Sequence, residues 1–311
     1  MEKINVIFMG TPEFAVPILQ VLIDTCNVLL VVTQPDKKVG RKQEITFSPI
    51  KNLALKNNIE IYQPESIRKD FLPITSKNAD LIVTCAYGQI VPKEILGYPR
   101  LGCINVHASL LPKLRGGAPI HKAIIDGYTK TGITLMYMDE TMDSGDIIAT
   151  KECIIEDSDN VGTLHDKLSI IGSELLKDEL PKIINGTNNR TKQNENDVTF
   201  AYNIKREEEV IDFNEKSINI FNKVRGLNPW PLSHLALDNE EIKVIECTYE
   251  LKEHNKEIGA IIDVNKDKLG IASSDGIIYL TKIKPSGKKE MNIKDFLNGK
   301  KPEDLIGKRV N

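Results

Sequence analysis

Residues Ile104–Ile120 read INVHASLLPKLRGGAPI. A short apolar strand ends there in Asn105 and His107, two positions apart. Side chains alternate across a strand, so both polar groups face one side and Val106 faces the other. Pro112, Gly116 and Gly117 then force a shaped loop. APIHKAIIDG follows as a helix whose first N–H groups lack intrahelical partners. A polar pair at the carboxyl end of a strand, followed by a glycine-rich loop, is where open α/β sheets carry their sites. The stretch therefore predicts an α/β fold of that kind, with a site beside Asn105 and His107.

The flanking sequence extends this reading. INVIFMG (Ile4–Gly10) is a continuous apolar run ending in glycine, as expected of a strand buried on both faces. TPEFAVPILQVLIDT follows with helical spacing, with Thr11 as a candidate cap and Pro12 at its first position. NVLLVVTQ, ADLIVTCA, GCINVH and GITLMYM supply further strands, and helices are predicted over Ser48–Asn58, Pro119–Asp126 and Thr163–Asn185. The pattern is a Rossmann-like, doubly wound, mostly parallel sheet. Only Gly10 stands where a dinucleotide fingerprint needs three glycines, which excludes a standard dinucleotide site. After a polar stretch, NGTNNRTKQNENDVT, the pattern changes to a short helix ending at Gly226, a proline-bracketed Trp230 and several strand-like runs. Asp275-Gly276 is a hairpin turn signal. A smaller C-terminal β-barrel is expected. The predicted division is 1–188, a linker over 189–206, and 207–311.

The chain has 311 residues, 41% apolar and 27% charged, with a net charge of −3. That is enough for about two domains and gives no global basic field. No apolar run approaches the roughly 20 residues of a membrane span, and the N-terminus reads as a strand, not a secretion signal. Five cysteines without a CxxC fit reduced thiols in a cytoplasm.

The chemistry-bearing residues outside the opening stretch lie in MDETMDSGDII (Met138–Ile148). Asp139 and Glu140 read as a solvated acidic turn, whereas Asp143 can point inward. An aspartate beside a histidine fixes its tautomer and stabilises the imidazolium, and an asparagine can donate to an oxyanion. Asn105, His107 and Asp143 together suit acyl transfer without a covalent intermediate. Ser109 invites a Ser-His-Asp hydrolase reading, but no GxSxG elbow surrounds it. Asn105, His107, His121 and Asp143 match no standard ligand spacing, so no metal is expected. His121, His165, His234 and His254 read as structural or surface residues.

HASLLPKLRGGAPI with its upstream asparagine, together with DSGD, resembles the folate-dependent formyltransferases. GTPEFAVPIL, TQPDKKVGR, SPIKNLA, AYGQIVP and NPWP are similar to the branch of that family that acts on methionyl-tRNA, and the likeness covers nearly the whole chain. The resemblance implies a Rossmann-like sheet joined to a C-terminal barrel. It implies transfer of the formyl group of 10-formyltetrahydrofolate to the α-amino group of initiator methionyl-tRNA, for translation initiation. It makes Asn105, His107 and Asp143 the catalytic trio. By their chemistry, Asn105 and a protonated His107 are expected on the oxyanion. Asp143 is expected to hold His107 and help relay the amine's proton, with either His107 or Asp143 as the formal base. It lines the folate site with Ser109, Leu110, Leu111 and Pro112. It assigns tRNA contact to the basic loop DKKVGRKQEITF, through Arg41 and Lys42.

Two basic segments stand out on the acidic chain, Asp36–Lys51 at net +3 and Lys282–Arg309 at net +5. The second adds Lys288 and Lys289 as expected tRNA contacts. A monomer without membrane association is expected. Other amine acceptors, a formyltetrahydrofolate hydrolase, and a non-catalytic tRNA- or folate-binding protein are the alternatives. The appended C-terminal domain and the TQPDKKVGR loop argue against a small acceptor. The intact trio argues against binding alone.

Overall fold

The computed structural model describes residues 3–39 and 44–311. The chain divides into two compact units. The first comprises Met1–Pro119, Lys130–Ile154 and His165–Tyr202; the second comprises Ile120–Thr129, Ile155–Leu164 and Asn203–Asn311. Two segments from within the predicted 1–188 part thus group with the C-terminal part, and no composition shift marks them.

In chain order the elements are β1 (Asn5–Gly10), α1 (Val16–Thr25), β2 (Asn27–Val32), β3 (Lys37–Val39), β4 (Glu44–Thr46), α2 (Pro49–Lys56) and β5 (Ile61–Tyr62). There follow α3 (Leu72–Thr75), β6 (Leu81–Cys85), α4 (Lys93–Leu96), β7 (Cys103–His107), α5 (Pro119–Ile125), β8 (Lys130–Tyr137), β9 (Ile147–Ile154) and α6 (Val161–Ile184).

One seven-stranded sheet, ordered β5-β2-β1-β6-β7-β8-β9, forms the frame of the first unit. β5, β2, β1, β6 and β7 run parallel, while β8 and β9 are antiparallel to their neighbours. The apolar run in β1 has the expected cause: Val6, Ile7, Phe8 and Met9 are all fully buried. Burying each such side chain stabilises by about 1.5–3 kcal/mol. One buried layer gathers Ile7, Met9, Leu30, Val32, Ile82 and Ile95. β9 is different: it is an edge strand with Thr150, Lys151 and Glu152 in its middle, largely exposed, which hides it from an apolar-run search.

Helix α2 starts as read, with the Ser48 hydroxyl accepting from Lys51 N. Thr11 does not cap α1. A 3-10 turn (Glu13–Ala15) precedes that helix, and the Thr11 hydroxyl donates to the Tyr87 carbonyl at 3.1 Å. It ties the loop after β1 to the loop after β6, a role that outweighs a local cap.

In the second unit come α7 (Ser217–Gly226), β10 (Ser233–Leu237), β11 (Glu240–Leu251), β12 (Ile261–Val264), β13 (Leu269–Ala272), β14 (Gly276–Pro285), β15 (Met291–Asn292) and α8 (Ile293–Leu297). The strands form an antiparallel sheet ordered β10-β11-β14-β13-β12, with β15 beside β14. The Asp275-Gly276 signal lies in the β13–β14 hairpin. The final residues join the sheet's two edges. Lys308 O accepts from Ile261 N and Gly259 O from Val310 N, while Asn311 N donates to Ala236 O. Open edges invite further pairing, and this closure removes both. Among the described residues no helix is long and apolar enough to cross a membrane.

Candidate active site

β7 sets Asn105 beside Thr84 of β6 and opposite Met136 of β8, and sets His107 opposite Thr134. Thr84 is 3% exposed, and its hydroxyl donates to Asn105 Oδ1 at 2.8 Å. An amide held by its oxygen must turn its NH2 the other way. No hydrogen bond holds Asn105 Nδ2 among the described residues, so it is a free donor on the residue two positions before His107 in β7.

His107 is buried, and its two ring nitrogens have different surroundings. Nε2 lies 3.1 Å from the Leu114 carbonyl. A carbonyl only accepts, so Nε2 carries a proton. Nδ1 lies 3.7 Å from Asp143 Oδ1, too far for a direct hydrogen bond and close enough for both to touch one group between them. Asp143 is aimed by its other oxygen, which accepts from Gly116 N at 2.8 Å.

Two glycines make this approach possible. Gly116 has φ +127°, and a Cβ there would stand 2.6 Å from the Ala201 carbonyl. A Cβ on Gly145 would stand 2.0 Å from the Tyr137 carbonyl. The Asp143 turn can fold back on β8 only with glycine at 145. Asp139 and Glu140 are exposed, as read.

The loop between β7 and α5 is held by bonds within itself and to Thr134 of β8. Ser109 is fully buried; its hydroxyl donates to Lys113 O at 2.6 Å, and its carbonyl accepts from Thr134 Oγ1 at 2.6 Å. Leu111 is buried, Leu110 packs against Gly132 of β8, and Pro112 is half-exposed. Side-chain hydrogen bonding by Ser109 is thus directed into the loop, which leaves the loop's shape and backbone as what it can offer a ligand.

Sequence reasoning missed the segment that holds this loop. Composition reads 189–206 as a linker, yet Thr191–Ala201 runs along the first unit. Thr191 bridges Ile147, and Arg115 bridges Phe200. Thr199 Oγ1 accepts from Leu114 N at 2.9 Å. The Arg115 side chain, 4% exposed, donates to Gln193 Oε1 and pairs with Glu195 at 2.9 Å. That hydrogen bond holds the exposed Glu195 carboxyl below the usual carboxylate range. These contacts sit at non-periodic positions of a polar stretch, and no sequence signal marks them. Phe200 and Tyr202, both exposed, stack at 5.4 Å on either side of Ala201.

The loops after β1, β2 and β6 converge on one carbonyl: Tyr87 O accepts from Thr11 Oγ1 and from Gln34 Nε2 at 3.0 Å. Arg41 and Lys42 lie outside the described residues. Lys51, counted above in the first basic segment, is not free: its ammonium donates to Asp36 (2.5 Å) and Gln63 (2.9 Å) and lies over the Phe47 ring. In the second segment Lys282, Lys308 and Arg309 pair with Glu290, Asp238 and Glu257. Lys288 and Lys289 are exposed in the turn between β14 and β15.

Among the described residues no group of three or more His, Cys, Asp or Glu is arranged to hold a metal. Burial pushes the Cys103 and Cys247 thiols up to about 12, which removes thiolate chemistry there. His165 pairs with Asp166, and His254 bonds the hairpin carbonyls Ser273 O and Gly276 O. Burial pushes the His234 imidazole down. His121 meets the Trp230 ring edge-on.

Two family models match the chain: "Formyl transferase" over residues 2–180 and "Formyl transferase, C-terminal domain" over residues 203–301. The chain is 48% identical to a methionyl-tRNA formyltransferase of Macrococcus caseolyticus over 309 residues, 99% of each chain. It is 46% identical to one of Staphylococcus aureus over 311 residues, 98% of this chain and 99% of the other. Among solved structures it is similar to WlaRD, a sugar 3N-formyl transferase crystallised in the presence of dTDP and 5-N-formyl-THF. That match has a TM-score of 0.66 and 22% identity, and covers 93% of this chain and 100% of the other.

Proposed function

The chain belongs to the formyl transferase family, and from that premise we infer that it transfers a formyl group from a reduced folate to the α-amino group of methionyl-tRNA. The donor is 10-formyltetrahydrofolate, and the product is N-formylmethionyl-tRNA for translation initiation. The observation that carries the reading is the pairing of His107 Nδ1 with the Asp143 carboxylate, 3.7 Å apart at the carboxyl end of β7, on the strand that also carries Asn105 two positions earlier with its amide oxygen held by Thr84.

A free α-amine titrates near ~8, so a usable fraction is neutral at pH 7. It attacks the formyl carbon, and the carbonyl oxygen becomes an oxyanion that Asn105 Nδ2 stabilises by donation. His107 holds Nε2–H on the Leu114 carbonyl, which leaves Nδ1 as the working nitrogen. Nδ1 and Asp143 Oδ1 flank one position and together accept the proton of the attacking amine. The oxyanion then re-forms the carbonyl, the bond from the formyl carbon to the folate nitrogen breaks with its electron pair going to that nitrogen, and the nitrogen takes up the proton held between His107 and Asp143. No step needs a metal ion.

Ser109, Leu110, Leu111 and Pro112 form the wall against which the folate lies. Arg41, Lys42, Lys288 and Lys289 bind tRNA phosphates. The functional division is a catalytic part over 1–188, a segment over 189–206 whose Thr191–Ala201 stretch packs on the first unit, and a tRNA-binding part over 207–311; the spans of the two family models support the first and last. The protein acts as a monomer in the cytoplasm.

The test is an acceptor screen with 10-formyltetrahydrofolate against methionyl-tRNA, amino-sugar nucleotides and water. Formylation of methionyl-tRNA at least 10³-fold faster than the rest is expected. Equal or faster transfer to a sugar amine, or release of free formate, would replace this acceptor assignment.

A further inference from the structure

Gln193 lies in the segment that composition reads as a linker. Its Oε1 accepts from Arg115 Nε at 3.1 Å and from Nη2 at 2.8 Å. A guanidinium has only donors, so Oε1 must face it and the amide nitrogen must face away. That nitrogen donates to two backbone carbonyls, Asp143 O at 2.7 Å and Gly145 O at 2.9 Å. The two carbonyls belong to Asp143 and to Gly145 just after it, so both bonds hold the C-terminal side of the turn that presents the Asp143 side chain. Asp143 has φ +51°, a left-handed conformation that a residue with a Cβ keeps only where its surroundings hold it. Arg115 is fixed in turn: its Nη1 and Nη2 donate to the two Glu195 oxygens at 3.3 and 2.9 Å.

We propose that Gln193 is a positioning residue for formyl transfer: it holds the Asp143 turn in the left-handed conformation that sets its carboxylate opposite His107. Arg115 and Glu195 orient the amide so that both its hydrogens reach the turn. The inference rests on the role given to Asp143 above. A glutamine suits the place because one end of its amide accepts from a cation while the other donates to two carbonyls. A glutamate would keep the acceptor for Arg115 but set an oxygen against two carbonyl oxygens. Its pairing with Arg115 would survive and its hold on the turn would not.

The experiment compares Gln193→Glu, Gln193→Ala, Asp143→Ala and the Gln193→Glu/Asp143→Ala double variant in the full chain, with methionyl-tRNA and 10-formyltetrahydrofolate. Gln193→Glu is expected to unfold within a few degrees of wild type, while kcat falls ~10–10²-fold, the loss that a misplacement of about 1 Å produces. KM for both substrates should stay within about threefold. On the Asp143→Ala background the same substitution should cost less than about threefold more, because the group it aims is gone.

A kcat within about twofold of wild type for a folded Gln193→Glu overturns the proposal. So does a full multiplicative loss in the double variant, which is what a general loosening of the unit would give. If Gln193→Glu does not fold, the same comparisons are read from Gln193→Ala and its double variant. Full activity of Asp143→Ala would instead overturn the reading of the site itself, whereas an inactive Asp143→Ala beside a normal Gln193→Glu removes only Gln193.

Discussion

Replacing Asn105 with alanine should separate catalysis from stability. In the native structure the Thr84 hydroxyl donates to Asn105 Oδ1 at 2.8 Å, and Ile104 O lies within 3.3 Å of the same hydroxyl. Deleting the amide leaves Thr84 a poorer acceptor rather than none, a cost of about 1 kcal/mol. In a chain of this size that lowers Tm by ~2–4 °C. The catalytic cost is larger, because a donor aimed at a developing oxyanion contributes ~2.7–4 kcal/mol, or 10²–10³ in kcat.

Thr84→Val tests orientation alone. A hydrogen bond of ~1 kcal/mol favours one amide orientation over the other by about 5:1. Losing it lowers the productive fraction from about five-sixths to about one-half, so kcat should fall only about twofold. Asn105→Asp keeps the bond from Thr84 but sets an anionic oxygen where the oxyanion forms, and should be slower than Asn105→Ala. The assay is single-turnover formylation of methionyl-tRNA at saturating donor, with thermal unfolding and folate binding measured alongside. If Asn105→Ala kept a third or more of the wild-type rate, or Thr84→Val cost as much as Asn105→Ala, Nδ2 would not be the oxyanion donor.

Activity should survive exhaustive chelation once the tRNA is folded in magnesium and exchanged; loss with EDTA and rescue by a single metal would refute the metal-free mechanism. Arg41→Ala should raise KM for methionyl-tRNA and leave KM for the folate unchanged, with the log-affinity slope against log salt smaller by about one. Charge reversal at Lys288 and Lys289 should also weaken tRNA binding, and unaltered affinity and salt slope in these variants would show both surfaces to be merely solvated. The Asp275 carboxylate accepts from Ser217 N at 2.8 Å at the start of α7, which holds its pKa below the usual 3.8. Its stabilisation is therefore present above the unfolded pKa and is lost as pH falls through the lower, folded value. Asp275→Asn keeps an acceptor oxygen but loses the charge. It should lower Tm by about 1–3 °C at pH 7, with the gap from wild type closing below about pH 4; a gap independent of pH would rule out the charge.

Much of the frame was legible because its signals are local. The continuous apolar run of β1 reports burial on both faces. Period two puts Asn105 and His107 on one side of β7 whatever surrounds them. Ser48 before Pro49 marks the start of α2. What escaped depends on distant partners. β9 carries Thr150, Lys151 and Glu152 at a sheet edge, where apolar periodicity fails. Thr11 has a suitable side chain for a cap, but Tyr87 O, 76 positions on, takes its proton. Lys51 adds to a basic segment on paper, while in space it neutralises Asp36. Arg115 sits in a glycine-rich loop where nothing local marks it for burial, yet it is buried and bonded to Glu195 and Gln193, about eighty residues away. The site was legible as a set of residues, but the device holding Asp143 was not, because nothing in a polar stretch marks which glutamine bonds a carbonyl 50 positions earlier.

That separation bears on how the protein is made. Synthesis runs from the N-terminus at ~5–20 residues per second. Every strand of the seven-stranded sheet has been made once Ile154 is added. Thr199, whose hydroxyl anchors Leu114, and Gln193, which anchors the Asp143 turn, are translated only later, and they close loops spanning 85 and 50 positions. Closure entropy grows only slowly with loop length, and a sheet already formed shortens the free segment that must close. A nascent chain arrested after α6 would thus carry Asn105, His107 and Asp143 with the Gly116 N contact but without the Gln193 hold on the Asp143 turn. On the proposal made for Gln193, the site is completed only after every strand of the sheet has been made, and a chain that stops short of Gln193 would carry the trio without the contact that holds the Asp143 turn.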